Sequence, residues 1–221
     1  MVDIIFVTHK TDEGTMKRFE EVRATIDPLE HNLIFTGQPA SASINRNYGL
    51  AIAQSDIIVM LDDDMRGFYE GWVNDLVSPL LADDRIILVS ARLLNPNGSI
   101  GSCMGAGGLP VEGVCEANRS TYRGYFRLPT ACIAFRKNPL RFNEGFVGSG
   151  YEDSAHMNDL CARYPEKIFV INNRCKLIHE NRQVRQGGEF WEHNHRLYLS
   201  LYPDDETVKS QKDWCHGREN E

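Results

Sequence analysis

The first 94 residues alternate between short apolar runs and amphipathic stretches. The apolar runs are rich in β-branched residues, as buried parallel strands are, and they occupy residues 3–7, 32–36, 56–61 and 85–94. The stretches between them have helical spacing and cover residues 12–26, 41–54 and 68–81, the last being predicted as helical up to its proline. This β-α-β-α-β-α-β order predicts an α/β fold with an open, mostly parallel (mixed) sheet flanked by helices.

The pattern loosens after residue 94. Residues 95–113 are rich in glycine and turn-forming residues, which predicts a long loop or a hairpin region. Beyond it, strands are predicted at 127–137, 167–172 and 175–180, and helices at 151–164 and 188–202. We therefore expect one domain over residues 1–202, with a nucleotide-binding half at 1–94, an irregular half at 95–202 and a charged tail at 203–221.

Composition excludes several classes of protein. The formal net charge of −7 argues against a general nucleic-acid-binding surface. No apolar run approaches the ~20 residues of a membrane span, and the N-terminus reads as a first strand rather than a signal peptide. The six cysteines form no CxxC pair, which disfavours a zinc knuckle or a disulfide framework. A reducing, cytoplasmic setting is the simplest expectation.

Three consecutive carboxylates, Asp62, Asp63 and Asp64, follow the third predicted strand directly. Ligands of open α/β sheets bind outside the carboxyl ends of the strands, which is where this triplet falls. Three like charges at the end of a buried strand repel one another unless they fan out into water or a cation lies among them. The triplet therefore predicts either a solvated turn or a site for a divalent cation and an associated diphosphate.

A second acidic pair, Glu152 and Asp153, lies at the start of a predicted helix behind a glycine-rich approach. Carboxylates are favourable near helix N-termini, so the pair could simply cap the helix. Alternatively, one of the two could act as a general base on an acceptor hydroxyl. His179 ends the strand "CKLIH" and is either structural or a metal ligand beside Asp64.

Taken together, four segments resemble family-2 glycosyltransferases of the GT-A fold. "INRNYGLAIAQSDIIVMLDDDM" resembles their Arg-Asn-x-Gly helix followed by a strand that ends in the DxD motif. "GFVGSGYEDSAHMNDLCAR" resembles their acceptor-side Glu-Asp motif, and "RLPTACIAFRK" the strand that precedes it. "CKLIHE" lies where many members place a metal-binding histidine. The resemblance covers roughly residues 2–200 in order and spacing.

The resemblance implies a metal-dependent, inverting transfer of a sugar from a nucleotide-sugar donor to an acceptor hydroxyl. It implies metal ligation by Asp62, Asp64 and His179, with Asp62 also near the ribose. It implies Asp153 as the general base, with Glu152 binding acceptor or sugar hydroxyls. The remaining donor-binding residues that it implies are Thr8, Arg46, Asn47 and Asp63.

The histidine favours Mn²⁺ over Mg²⁺, because imidazole suits Mn²⁺ better. A UDP-linked donor is favoured over a GDP- or dTDP-linked one, although "FTGQPASAS" lacks the acidic residue with which many members read the base. The acceptor class stays open. So do two alternatives, a sugar-phosphate nucleotidyltransferase and a non-catalytic nucleotide-sugar- or glycan-binding protein.

Overall fold

A computed structural model describes residues 1–101, 112–117, 128, 130–180, 190–205 and 208. Its strands are β1 (Val2–Thr8), β2 (His31–Gly37), β3 (Ile57–Asp62), β4 (Met65–Arg66), β5 (Ile86–Leu94), β6 (Val114–Ala117), β7 (Cys132–Arg136) and β8 (Ile168–His179). Its helices are α1 (Glu13–Arg23), α2 (Ala42–Ile52), α3 (Trp72–Ala82), α4 (Glu152–Arg163) and α5 (Trp191–Leu201).

The strands form one mixed sheet in the order β2-β1-β3-β7-β5-β8-β4, and β6 pairs with β8. β1 is parallel to β2 and β3, and β5 is parallel to β8. β7 is antiparallel to both β3 and β5, so the two parallel groups point the same way. β4 and β6 are antiparallel to β8. Most strands in the described ranges therefore share one direction, which confirms the predicted fold class.

The apolar runs of β1 and β3 lie inside the sheet and are buried on both of its faces. Every residue of β1 is buried, as are the five apolar residues of β3. Phe6, Phe19 and Phe35 join β1, α1 and β2 in one aromatic cluster with ring centroids 5.2–6.0 Å apart. No helix in the described part of the chain is long and apolar enough to cross a membrane.

The third helix was predicted to end at its proline. It continues past it, because Pro79 lies inside α3. Proline lacks the N–H that would donate to the carbonyl four residues earlier, here that of Asp75. That carbonyl instead accepts hydrogen bonds from Ser78 Oγ (2.9 Å) and from Asn172 Nδ2 of β8 (2.6 Å). A side chain 97 residues away thus removes much of the cost of a proline in the helix.

Other boundaries also differ from the prediction. The two strands expected at 167–172 and 175–180 form a single strand, β8, whose pairing with β5 shifts register between Ala91 and Arg92. The short strands β4 and β6 were not predicted. Of the expected loop at 95–113, residues 102–111 lie outside the described residues, as do 188–189 of the last predicted helix and most of the tail.

Candidate active site

A cavity of about 700 Å³ opens at the carboxyl ends of β1, β3 and β8. These three strands point the same way, so their ends meet at one edge of the sheet. The starts of α2 and α4 close the cavity from the side. Its lining includes eight of the nine predicted site residues: Thr8, Arg46, Asp62, Asp63, Asp64, Glu152, Asp153 and His179.

Arg46 lies at the centre of this group and is buried. Its Nη2 donates to both carboxylate oxygens of Asp62 (2.9 and 3.3 Å), and its Nη1 donates to Glu152 Oε1 (2.8 Å). Burial lowers the pKa of Arg46, but the two carboxylates outweigh it and raise that pKa above its ordinary value. Arg46 therefore stays charged and joins the end of β3 to the start of α4.

Asp62 is half-buried beside this guanidinium. Burial raises its pKa to about 6, Arg46 opposes that rise, and the neighbouring Asp64 carboxylate adds to it. Because both of its oxygens accept from Arg46, Asp62 is largely committed to the protein. The charge crowding of the triplet is thus partly relieved by an arginine from α2.

The middle carboxylate, Asp63, is bound to the end of β1. Thr8 Oγ1 donates a short hydrogen bond to Asp63 Oδ2, and both residues are buried. The same hydroxyl accepts from the Lys10 N–H at 3.1 Å. This contact fixes the turn between β3 and β4 against β1, while both side chains still line the cavity.

Asp64 and His179 form the third contact of the triplet. Their Oδ1 and Nε2 atoms lie 3.3 Å apart. Backbone pairing places them there: Met65 is opposite His179 in the β4–β8 ladder, and the Glu180 N–H donates to the Asp64 carbonyl at 3.0 Å. Burial lowers the pKa of His179, but its hydrogen bond to Asp64 produces a net rise.

Two of the three predicted metal ligands, Asp64 and His179, lie next to each other, and the full three-ligand set stays a prediction. The described residues contain no group of three or more His, Cys, Asp or Glu side chains arranged to hold a metal ion. Asp62 turns to Arg46, which leaves Asp64 and His179 as an adjacent two-ligand pair. Mg²⁺ is commonly held by one or two carboxylates together with substrate phosphates. The pair therefore fits a cation whose remaining ligands come from a bound diphosphate and water.

Glu152 and Asp153 begin α4, whose N-cap residue Tyr151 makes no side-chain capping bond. Glu152 is buried, and its Oε2 accepts from the Gly150 N–H. Asp153 Oδ1 accepts from the Ser154 N–H at 2.7 Å. Both carboxylates thus bind backbone amides near the helix start, and both also line the cavity. Burial and the neighbouring Glu152 raise the pKa of Asp153, against the opposing effect of Arg46.

Asn47 is the predicted site residue that the cavity lining does not include. Its Nδ2 donates to the Phe142 carbonyl (2.9 Å) and to Glu144 Oε1 (2.8 Å), and its Oδ1 accepts from the Phe142 N–H (2.8 Å). It was placed at the nucleotide because it follows Arg46 in the motif. One residue along a helix turns a side chain by about 100°, and here that turn directs Asn47 to Phe142 and Glu144 instead of the cavity.

The sequence prediction missed Asn45, which lines the cavity and is fully buried. Its side chain bonds the loop after β2, accepting from the Gln38 N–H (2.9 Å) and donating to the carbonyls of Gln38, Ala40 and Ser41. Asparagine is a weak helix former because its amide competes for backbone groups. An asparagine inside a predicted helix therefore could have indicated that Asn45 bonds backbone groups outside that helix.

Neither a scan of protein-family models nor a search of curated proteins finds a match to this sequence. Solved structures of glucosyl-3-phosphoglycerate synthase from Mycobacterium tuberculosis do match it. The complex with Mn²⁺, UDP and glucosyl-3-phosphoglycerate has a TM-score of 0.57 and 16% identity, covering 93% of this chain and 80% of that one. The complex with Mn²⁺, UDP-glucose and phosphoglyceric acid has a TM-score of 0.55 and 16% identity, covering 90% and 79%.

The complex of the same enzyme with Mg²⁺ and UDP has a TM-score of 0.54 and 16% identity, covering 90% of this chain and 78% of that one. These likenesses extend over nearly the whole chain, although the sequence identity is only 16%. The chain has the GT-A fold of nucleotide-sugar-dependent glycosyltransferases.

Proposed function

We propose that this protein is a metal-dependent, inverting glycosyltransferase that moves a sugar from a UDP-linked donor to an acceptor hydroxyl. One observation carries the proposal: the Asp64–His179 pair and the Asp153 carboxylate line the same cavity. A glycosyl transfer needs a site for the leaving diphosphate and a base for the acceptor. The matched synthase, which has the same fold, was solved with Mn²⁺ or Mg²⁺ and UDP or UDP-glucose, which supports the choice of donor.

Asp64 and His179 would hold the cation, for which Mn²⁺ is favoured over Mg²⁺ by the imidazole ligand. When bound, the cation supplies Lewis-acid stabilisation of the charge on the departing diphosphate. At the donor side of the cavity, the protein itself holds the acidic turn after β3 in a fixed position. Arg46 fixes Asp62, and Thr8 fixes Asp63, so the donor meets a turn that is already in place.

Asp153 would take the proton from the acceptor hydroxyl as the oxygen attacks the anomeric carbon. Attack opposite the departing nucleoside diphosphate inverts the configuration at that carbon. The raised pKa of Asp153 suits a base that works near neutral pH, because efficiency is highest when a base's pKa lies close to the operating pH. Glu152 is a poorer choice of base since Arg46 and Gly150 bind its two oxygens. It would orient hydroxyls at the edge of the site.

The acceptor is a hydroxyl compound whose class we leave open. The phosphoglycerate in the matched synthase belongs to that enzyme. We place the protein in the cytoplasm, because Cys132 and Cys175 are buried thiols that form no disulfide. The net charge of −7 supports a small or neutral partner rather than nucleic acid in general.

UDP release separates the proposal from its rivals. The purified protein is incubated with UDP-glucose and Mn²⁺, with and without a panel of hydroxyl acceptors, and UDP is quantified. UDP release that a chelator abolishes supports a glycosyltransferase. Pyrophosphate formed from a nucleoside triphosphate and a sugar phosphate would instead identify a nucleotidyltransferase. Thermal stabilisation by UDP-sugars without any turnover would identify a binding protein.

A further inference from the structure

The wall of the cavity next to Asp153 is a glycine-rich segment, residues 142–150, that is held by two asparagine side chains. Asn47 of α2 bonds both the N–H and the carbonyl of Phe142 at one end. Asn194 of α5 does the same to Val147 near the other end. Each side-chain amide bonds both the N–H and the carbonyl of one residue, as a neighbouring strand would, and we call each such contact a clamp. The two clamps tie the segment to two different helices, α2 and α5.

In the Asn194 clamp, both the oxygen and the nitrogen of the side-chain amide form hydrogen bonds, and the side chain is shielded from water. Its Oδ1 accepts from the Val147 N–H at 2.9 Å, and its Nδ2 donates to the Val147 carbonyl at 2.8 Å and to the Ser149 carbonyl at 3.4 Å. Asn194 is fully buried. Val147 and Ser149, which it holds, line the cavity.

Contacts on both sides of Gly148 leave the clamped segment little freedom. The Gly148 carbonyl accepts from the Ala42 N–H at the start of α2 (2.9 Å). Its φ of +62° is in the left-handed region, and a Cβ there would lie 2.5 Å from the Phe190 ring. Glycine is therefore required by both the backbone conformation and the close approach of Phe190.

Tyr151 transmits this constraint to α4. It is the non-glycine residue with positive φ (68°) within the described ranges, a conformation that persists only where surrounding contacts enforce it. Its ring packs on Tyr198 and His195 of α5, with centroids 5.3 and 5.7 Å apart. Asp153 follows two residues later, so α5 sets the direction in which α4 begins.

We propose that Asn194 is a positioning residue for Asp153, acting through the segment that it clamps. The inference rests on the proposed function, since it concerns the base of that reaction. Asn194 itself is not part of the cavity lining. Its effect is to hold the acceptor-side wall at one distance from the Asp64–His179 pair. A shift of about 1 Å in a reacting group can cost on the order of 10²-fold in rate.

The experiment compares Asn194→Ala with Tyr198→Phe. Tyr198, on the same helix, donates a buried hydrogen bond to Asp205 and accepts one from Asn158 of α4; Tyr198→Phe removes both but leaves the ring against Tyr151 and the Asn194 contacts intact. Both variants are assayed for UDP release from UDP-glucose with Mn²⁺ and for UDP affinity. Asn194→Ala should lower the turnover number about 10- to 100-fold with UDP affinity unchanged, and Tyr198→Phe should retain turnover. Equal losses in the two variants, or a loss of UDP affinity in Asn194→Ala, would overturn the inference.

A double-variant test distinguishes positioning from general damage. In an Asp153→Asn background, Asn194→Ala should lower turnover less than about twofold, because residues that act through one group are not additive. A full additional loss would show that Asn194 does not act through Asp153. If Asn194→Ala fails to fold, Asn194→Ser serves instead, since its hydroxyl keeps one small polar group at this buried position and adds no charge. That variant should lose an intermediate share of turnover, and wild-type turnover would overturn the proposal.

Amide hydrogen exchange tests the Asn194 clamp without relying on an enzyme assay. The Val147 amide should exchange faster in Asn194→Ala, while amides of β1 and β3 stay as protected as in the wild type. Unchanged exchange at Val147 would overturn the clamp whatever the enzyme does. If the wild-type protein releases no UDP, the proposed function falls, and the role of Asn194 toward Asp153 falls with it, but the exchange still tests the clamp.

Discussion

Arg46 Nη1 lies 2.8 Å from Glu152 Oε1, although 106 residues separate the two side chains in the sequence. The same guanidinium binds Asp62, so one cation joins the donor-side turn to the acceptor-side helix. Removing one partner of a buried ion pair leaves uncompensated charge and costs about 3–5 kcal/mol. This contact therefore determines how the two sides of the cavity are held together.

Replacing Arg46 with alanine should lower the free energy of unfolding by about 3–5 kcal/mol. Two carboxylates, Asp62 and Glu152, would then be left without their cation. The measurement is urea denaturation at pH 7. Arg85→Ala is the matched control because Arg85 is largely exposed beside Asp83, and surface ion pairs contribute little to stability. Equal effects of the two substitutions would contradict the central role of Arg46.

Asp64→Asn should abolish Mn²⁺-dependent binding of UDP-glucose while the protein stays folded. A neutral amide is a poor replacement for a carboxylate ligand of a hard cation. His179→Ala should weaken the same binding to a smaller extent. Calorimetric titration with Mn²⁺ present and absent measures both, and Asp84→Asn, a highly exposed carboxylate, is the control. If Asp64→Asn bound UDP-glucose as tightly as the wild type in the presence of Mn²⁺, the aspartate triplet would be only a turn and not a metal site.

Asp153→Asn should lower glycosyl transfer by about 10²–10⁴-fold, the range that positioned proton transfer supplies. Donor and metal affinity should stay close to wild type, because the amide has nearly the same shape. Asp159→Asn, on the same helix and bonded to Tyr202 Oη at 2.7 Å, should retain transfer. Full activity in a folded Asp153→Asn protein would shift the base to Glu152. Lost donor binding would assign the start of α4 to the nucleotide.

Titration of Asp153 should also make the free energy of unfolding depend on pH. Its pKa is raised in the folded protein, first by burial and then by Glu152, so the native state holds this proton to a higher pH than the unfolded chain does. The free energy of unfolding should therefore fall as pH rises from the unfolded value of about 3.9 through the folded pKa. Asp153→Asn removes that loss.

Denaturation of chelator-treated protein at pH 4 and pH 8 tests this expectation. The Asp153→Asn variant should be more stable than the wild type at pH 8, and the difference should shrink toward pH 4. Asp159→Asn again provides the comparison, since it changes a carboxylate on the same helix. A constant difference between Asp153→Asn and wild type across this range would show that the Asp153 carboxyl does not titrate abnormally.

Local sequence determined most of the fold and the place of the site. The short, β-branched apolar runs at 3–7 and 56–61 are typical of buried strands, and carboxylates that follow such a strand fall at the ligand-binding edge of a parallel sheet. Strand β4, with two residues, has no periodicity to detect, and it forms because Met65 and Arg66 meet the end of β8. Local sequence could not show that contact.

The use of each polar side chain was decided by tertiary structure. Asp62 and Asp64 are both carboxylates of one triplet, yet Arg46 binds the first and His179 lies beside the second. Asn47 follows Arg46 directly, but it clamps Phe142 instead of lining the cavity. Pro79 stays within α3 because Asn172 reaches the carbonyl that it leaves free. A sequence specifies which groups can donate, accept or carry charge. Their partners come from distant parts of the chain, and burial selects the arrangement in which those groups are satisfied.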